Sequence, residues 1–146
     1  MGANVSVPMY RRLIPQRLRL EGATCTTCGE VSFPPTPRCR NGCTPSKFEP
    51  TTLSGTGVIH ALTFVAPAAA PPEFAYQVEG SAGYHVAIVE LDEGPLITAQ
   101  LVPPAPEVAP RIGDRVVAET RLLYKDDGIR RYGFKFSLAP DGDSTK

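Results

Sequence analysis

Side chains that most often carry catalysis are scarce in this sequence. Its 146 residues include no tryptophan, two methionines and two histidines, and all four cysteines lie before residue 44. Nucleophilic catalysis needs a nucleophile, an adjacent base and an orienting group, and two histidines allow few such sets. Both of them, His60 and His85, fall inside predicted strands, where we expect half-buried structural roles. Phosphate loops, dinucleotide fingerprints and zinc-protease helix motifs are absent as well, so the sequence gives little support for an enzyme that works alone.

Positive charge is missing from the middle of the chain. Residues 48–110 contain no lysine or arginine and seven acids, whereas residues 1–47 carry seven basic side chains against two acids and residues 111–146 carry eight against six. The formal net charge is zero. A non-specific nucleic-acid binder needs a dominant basic field, because neutralised phosphates supply most of its affinity. The chain as a whole does not have one.

Continuous apolar runs are short. None approaches the length of a transmembrane helix, and residues 1–12 lack the apolar core and cleavage site of a signal peptide. We therefore expect a cytoplasmic protein that has no membrane partner.

The cysteines form two close pairs. Two residues separate Cys25 from Cys28, three separate Cys39 from Cys43, and ten residues lie between the pairs. Each pair can turn two thiolates toward a common point, and Zn²⁺ accepts four sulfurs tetrahedrally. Gly29 follows the first pair directly, where a tight turn favours positive φ. The spacing favours a zinc ribbon; two disulfides, which need an oxidising compartment, and an iron cluster are the alternatives.

Five stretches rich in β-branched and aromatic residues follow the cysteines, at residues 55–65, 85–91, 96–102, 115–123 and 130–138. Asp-Glu-Gly at 92–94 and Asp-Asp-Gly at 126–128 join two pairs of them into hairpins. Sixteen prolines disfavour long helices. The pattern predicts a mainly β protein with a small closed barrel. Before the cysteines, polar and apolar residues alternate over 17–20 and predict a further strand.

The order of several short segments carries a resemblance. These segments are residues 14–22, Cys25-Thr-Thr-Cys-Gly29, Phe33-Pro-Pro35, 53–57, 86–94, 97–100, 112–114 and 132–136. Their order and spacing resemble the small zinc-ribbon plus OB-fold proteins, a domain-of-unknown-function family that accompanies thiolases and related acyl-CoA condensing enzymes. The resemblance covers roughly residues 10–138. The chain departs from the family pattern at the second cysteine pair, where Cys-Pro-x-Cys is usual, and at Thr36, where an arginine is frequent.

The resemblance implies a rubredoxin-like zinc ribbon over residues 21–50 and a five-stranded OB-fold barrel over 51–140. An N-terminal segment, 1–20, would contact a partner, and residues 141–146 would be a disordered tail. The implied function is that of a non-catalytic accessory subunit with structural Zn²⁺. It would dock on a thiolase-like or acyl-CoA synthase subunit in a hetero-oligomer and shape or complete its acyl-CoA site.

Two groups are candidate contact residues besides the four metal ligands. The arginines before the ribbon, Arg11, Arg12, Arg17 and Arg19, are able to pair with the phosphates of a coenzyme A thioester shared with the partner. A partner-facing or solvated basic strip is the alternative interpretation of them. Phe74, Tyr76 and Val78 alternate in the first long connection, which predicts one side buried against the larger subunit.

A single-stranded nucleic-acid-binding OB-fold is the alternative function, and a free scaffold or regulator is a third. In the last predicted strand Tyr132, Phe134 and Phe136 alternate with Arg131 and Lys135. The pleat therefore separates the aromatic rings from the cations, whereas base stacking needs both on one exposed face. We expect the aromatic face to pack inside the barrel, which makes nucleic acid the less favoured partner.

Overall fold

The computed structural model of the chain describes residues 11–126 and 128–140, which form two antiparallel sheets. The first sheet has the order β2-β1-β3 and the second the order β6-β5-β4-β7-β8. The strands are β1 (Glu21–Cys25), β2 (Val31–Ser32), β3 (Phe48–Thr52), β4 (Thr56–Val65), β5 (Tyr84–Leu91), β6 (Leu96–Gln100), β7 (Arg115–Asp126) and β8 (Ile129–Leu138). The predicted mainly β class is confirmed. Residues 1–10 of the N-terminal segment and the 141–146 tail lie outside the described residues.

The five-stranded sheet curls into a nearly closed barrel. Leu101, just after β6, forms a parallel bridge with Phe136 of β8, and the N–H of Val102 donates to the Phe136 carbonyl at 2.8 Å. Phe136 is fully buried in one core with eight further side chains: Leu20, Leu53, Ile59, Ala87, Val89, Leu91, Leu101 and Val116. The predicted five-stranded barrel is therefore confirmed, and its aromatic last strand supplies the central side chain.

Ribbon and barrel meet at a tight junction. The N–H of Leu53 donates to the carbonyl of Leu20 at 3.0 Å, and both side chains belong to the barrel core. Gly55 has φ of 77°, and a Cβ there would lie 3.0 Å from the Ala118 Cβ and 3.2 Å from Leu20 Cδ1. Glycine satisfies both the left-handed backbone and the close approach. The junction thus fixes where the ribbon sits on the barrel.

A helix, not a strand, precedes the ribbon. Helix α1 (Ile14–Arg19) has Pro15 in its first turn, and it ends at Leu20, whose φ of 46° is left-handed. Proline is well suited to a first helical turn because its missing N–H has no partner there, and Leu and Arg are good helix formers. The strand predicted over residues 17–20 is wrong. Its alternation of Arg and Leu is too short to distinguish two structures, and packing of α1 against β8 and β1 decides for the helix.

The long connection between β4 and β5 folds back over the barrel. It contains two 3₁₀ turns, Pro67–Ala69 and Pro72–Phe74, followed by the one-turn helix α2 (Ala75–Val78). Strand β7 pairs with β4 only over Thr56–Val58, and a register irregularity interrupts its pairing with β8 between Leu122 and Tyr124. The connection packs on this part of β7 and covers its free edge.

Candidate metal centre and its surroundings

The four cysteines converge on one point. The Sγ atoms of Cys25, Cys28, Cys39 and Cys43 all lie within 4.8 Å of one another, and those of Cys28 and Cys39 are 3.4 Å apart. Four thiolates around a tetrahedral Zn²⁺, each at about 2.3 Å, are separated by about 3.8 Å. The sulfur positions therefore fit a tetrathiolate site without rebuilding of the backbone. Disulfides are not formed between these residues in the structure.

Each pair is held by a turn that ends in a left-handed glycine. The N–H of Gly29 donates to the Cys25 carbonyl at 2.8 Å, and the N–H of Gly42 donates to the Cys39 carbonyl at 3.1 Å. Their φ angles are 77° and 73°. Non-glycine residues adopt such angles at a cost. The first turn closes over four residues and the second over three, and Gly42 inside the three-residue gap gives the second pair its own left-handed turn residue. The unusual spacing is therefore compatible with metal binding.

Hydrogen bonds and burial give the thiols unequal acidity. A backbone hydrogen bond from Glu30, helped by the side chain of Asn41, lowers the pKa of Cys28 to about 6. Burial raises the pKa of Cys39, and hydrogen bonding to Cys28 together with burial raises the pKa of Cys43 to about 12. Cys28 is thus the most acidic of these three thiols, and a metal ion would displace the protons of the other two on binding.

The predicted coenzyme A arginines are all accessible. Arg11, Arg12, Arg17 and Arg19 are exposed, and α1 places the last two within one helical turn of each other. None of the ion pairs between described side chains includes them. The structure thus leaves this basic strip available for a phosphate or an acidic partner.

The predicted partner residues of the first long connection contact their own barrel. The Phe74 ring packs against Tyr84 and Tyr124, with centroids 6.0 and 5.7 Å apart. Tyr76 Oη donates to the carbonyls of Leu122 and Leu123 at 3.4 and 3.1 Å. Phe74, Tyr76 and Val78 are each half-buried. They do not form an extended stretch with one buried side, because Val78 ends a helical turn.

Sequence reasoning missed two buried cations on the outer face of β8. Arg131 and Lys135 are each 8% exposed, and the connection with α2 contacts Lys135. Lys135 Nζ donates to Gln77 Oε1 at 3.1 Å, while burial and the nearby charge of Arg121 lower the pKa of Lys135. The rings on the other face of the strand are only partly enclosed, since Phe136 is buried and Tyr132 is 43% exposed.

The acidic turn residues have structural partners. Arg115 donates two hydrogen bonds to Asp92, at 2.6 and 2.9 Å, and lowers its pKa to about 2 with help from the Thr56 hydroxyl. Glu93 Oε1 accepts from the N–H of Ser54 at 2.6 Å. These carboxylates form hydrogen bonds that hold the β5–β6 turn against its neighbours, so they are not simply solvated.

The two histidines differ in exposure. His60 is exposed, and its Nδ1 lies 3.6 Å from Glu90 Oε2, so the expected half-buried role of His60 is wrong. His85 is half-buried and packs against the Phe64 ring.

Comparisons with known proteins agree with this architecture. The family model described as the ChsH2 rubredoxin-like zinc ribbon domain matches residues 14–43, which include all four cysteines. The ChsH2 C-terminal OB-fold domain matches residues 51–121. A DUF35 domain-containing scaffold protein of Methanothermobacter thermautotrophicus is 38% identical over 130 residues, covering 86% of this chain and 90% of the relative. The chain belongs to the DUF35 family.

Other relatives of this DUF35 protein have similar lengths. The scaffold proteins of Methanocaldococcus jannaschii and Pyrococcus furiosus are 39% identical over 130 residues and 33% identical over 138, covering 86% and 93% of this chain and 85% and 95% of their own. A chain of the solved Ltp2-ChsH2(DUF35) aldolase superposes with a TM-score of 0.60 at 25% identity, over 94% of this chain and 98% of that one. Within the described residues, no helix of the DUF35 protein is long and apolar enough to cross a membrane.

Proposed function

We propose that this DUF35 protein is a non-catalytic accessory subunit of a thiolase-type acyl-CoA enzyme complex. The observation that carries the proposal is the combination of a closed four-cysteine cluster and a barrel core made of aliphatic and aromatic side chains. The relatives' name, scaffold protein, and the solved relative, which is named together with an aldolase, support a partner-binding role. The reaction would belong to the larger subunit.

The metal in this proposal is a structural Zn²⁺ held by Cys25, Cys28, Cys39 and Cys43. Four thiolates suit Zn²⁺, and a closed tetrathiolate site has no open position for substrate or water. When bound, the ion supplies folding free energy and no chemistry. It would hold the two cysteine turns together and thereby fix β1, whose last residue is Cys25.

The contacts with the partner would use two surfaces. The exposed arginines Arg11, Arg12, Arg17 and Arg19 are available for phosphates of a coenzyme A thioester at the subunit boundary, because guanidinium groups bind phosphate oxygens bidentately. The half-buried ring edges of Phe74 and Tyr76, with Val78, would be covered further by the thiolase-like or acyl-CoA synthase subunit. This arrangement shapes the acyl-CoA site from outside without adding a reacting group.

Co-expression with a thiolase-type protein from the same organism tests the proposal. We expect both proteins to co-elute from gel filtration as a stoichiometric complex that contains one zinc per DUF35 chain. Thioester turnover by the isolated chain would contradict the non-catalytic role. Tight binding of single-stranded DNA at physiological salt, with no complex formed, would instead support the nucleic-acid alternative. The absence of lysine and arginine from β4, β5 and β6 argues against that result.

A further inference from the structure

The far end of the β7–β8 hairpin carries an unfavourable pair of like charges. Lys125 of β7 lies directly opposite Arg130 of β8 in the antiparallel register. Like charges in directly opposed positions destabilise a sheet. None of the ion pairs between described side chains involves either residue. Residues 121–135 hold five lysines and arginines and two aspartates, so the hairpin as a whole is basic.

An exposed aromatic side chain accompanies the two cations. Tyr132 is 43% exposed and lies two residues from Arg130, on the same face of β8. Lys125 Nζ lies 5.3 Å from the centroid of the Tyr76 ring, which holds the ammonium group in place over an aromatic face. We call Lys125, Arg130 and Tyr132 the hairpin patch. Tyrosine and arginine are enriched among the residues that dominate binding energy at protein interfaces.

We propose that the hairpin patch docks on an acidic surface of the partner protein. The inference rests on the proposed accessory function and adds the location and chemistry of one contact. A carboxylate placed between Lys125 and Arg130 would remove their mutual repulsion, and Tyr132 would be buried beside it. The cost of the like-charge pair in the free chain is then recovered on binding.

Two other occupants fit the patch less well. A nucleic acid requires a continuous basic track, whereas the neighbouring strands β4, β5 and β6 have no lysine or arginine. A second copy would have to place its acidic middle strands on the basic hairpin of the first. Such a contact is heterologous and repeats without closing unless the rotation forms a ring. An acidic partner of different sequence meets neither objection.

Charge reversal of the patch in the full chain tests the proposal. The affinity of wild-type and variant chains for the purified thiolase-type protein would be measured by calorimetry at two salt concentrations. We expect Lys125→Glu combined with Arg130→Glu to raise Kd at least tenfold and to reduce its salt dependence. Tyr132→Ala should also weaken binding. The control is Arg111→Glu, which reverses an exposed charge just before the start of β7. Strand β7 separates this position from Lys125 by ten or more residues, or about 30 Å. The control should change Kd less than twofold.

The stability of the variants separates a binding effect from misfolding. Arg130→Glu places opposite charges across the hairpin, so the isolated chain should melt at a higher temperature while binding more weakly. A lower melting temperature would show that the pair is not repulsive and would overturn the proposal.

The binding results separate this inference from the accessory function. An intact complex with unchanged affinity would refute the hairpin patch alone. No complex with the wild-type chain would refute the accessory function and this inference together. If the patch variant lost affinity for a 20-nucleotide single strand instead, the acidic-protein proposal would be wrong.

Discussion

Zinc removal should unfold the ribbon and leave the barrel folded. The perturbation is a chelator added to the full-length protein, or Cys28→Ser in place of chelation. The amides to follow are those of the cysteine turns, Gly29 and Gly42, and those of barrel strand β5, which is paired on both sides. We expect the turn amides to lose protection against hydrogen exchange while the barrel amides keep theirs.

The magnitude follows from how little the ribbon buries. Within residues 21–50 the buried hydrophobic side chains are Ala23, Cys25 and Cys39, two of which are metal ligands. A fully buried Leu or Phe contributes about 1.5–3 kcal/mol, and the ribbon has none. Ordering a residue costs about 1–2 kcal/mol in backbone entropy. The metal, with an apparent binding free energy of about 10–16 kcal/mol in zinc fingers, must therefore supply most of the ribbon's stability.

The assay is hydrogen exchange with mass spectrometry on zinc-loaded and chelated protein. Because the metal's contribution exceeds about 4 kcal/mol, protection of the ribbon amides should fall by at least about a thousandfold. Barrel amides should change less than about tenfold. Thr27→Ser, an exposed neighbour of Cys28, is the matched control and should behave as wild type. Equal protection of the ribbon with and without zinc would refute the reasoning.

Three barrel substitutions give further expected outcomes. Phe136→Ala removes the largest fully buried side chain and should lower the unfolding free energy by about 3–5 kcal/mol in urea titrations. Tyr76→Phe should cost about 0.5–1 kcal/mol, because the hydrogen bonds from its hydroxyl to the carbonyls of Leu122 and Leu123 are lost while Gln77 still donates to Leu123; an unchanged melting temperature would contradict this. Asp92 has a folded pKa of about 2, below its ordinary value. Its ion pair therefore stabilises the fold above about pH 4, and Asp92→Asn should cost about 0.5–1 kcal/mol at pH 7, a cost that shrinks as the pH falls through about 2 and disappears near pH 1.

The strands and the cysteine cluster were predictable because their signals are local. The stretches that became β4 to β8 are rich in β-branched residues and end at turn formers, and the predicted bounds agree with the structure to within a few residues. The spacing of the cysteines predicted that four thiols would share one site, and the structure places them together. The residues that determine these strands and cysteine turns are close together in the sequence.

The misses have causes that lie far away in the sequence. Strand β3 contains Pro50 and no alternation, and it forms because the partner strand β1 is beside it; as an edge strand it tolerates the proline. Lys135 is buried because the connection carrying Gln77 lies over it. The bulge between Ile59 and Ala61 leaves His60 exposed. The sequence around each of these residues contains no pattern that predicts these contacts.

In the proposed complex, metal binding and partner binding would be linked through the junction even where the ion is remote from the interface. Strand β1 runs from the junction to Cys25, the first proposed metal ligand, and Leu20, the residue before β1, joins the barrel core. Helix α1 with its arginines leads directly into Leu20. A ribbon that unfolds without zinc would free β1 and lose the hydrogen bond from Leu53 to Leu20, which holds the end of α1. Loss of a complex on chelation would then follow from misplacement of α1, so that result alone would not locate the metal at the subunit boundary.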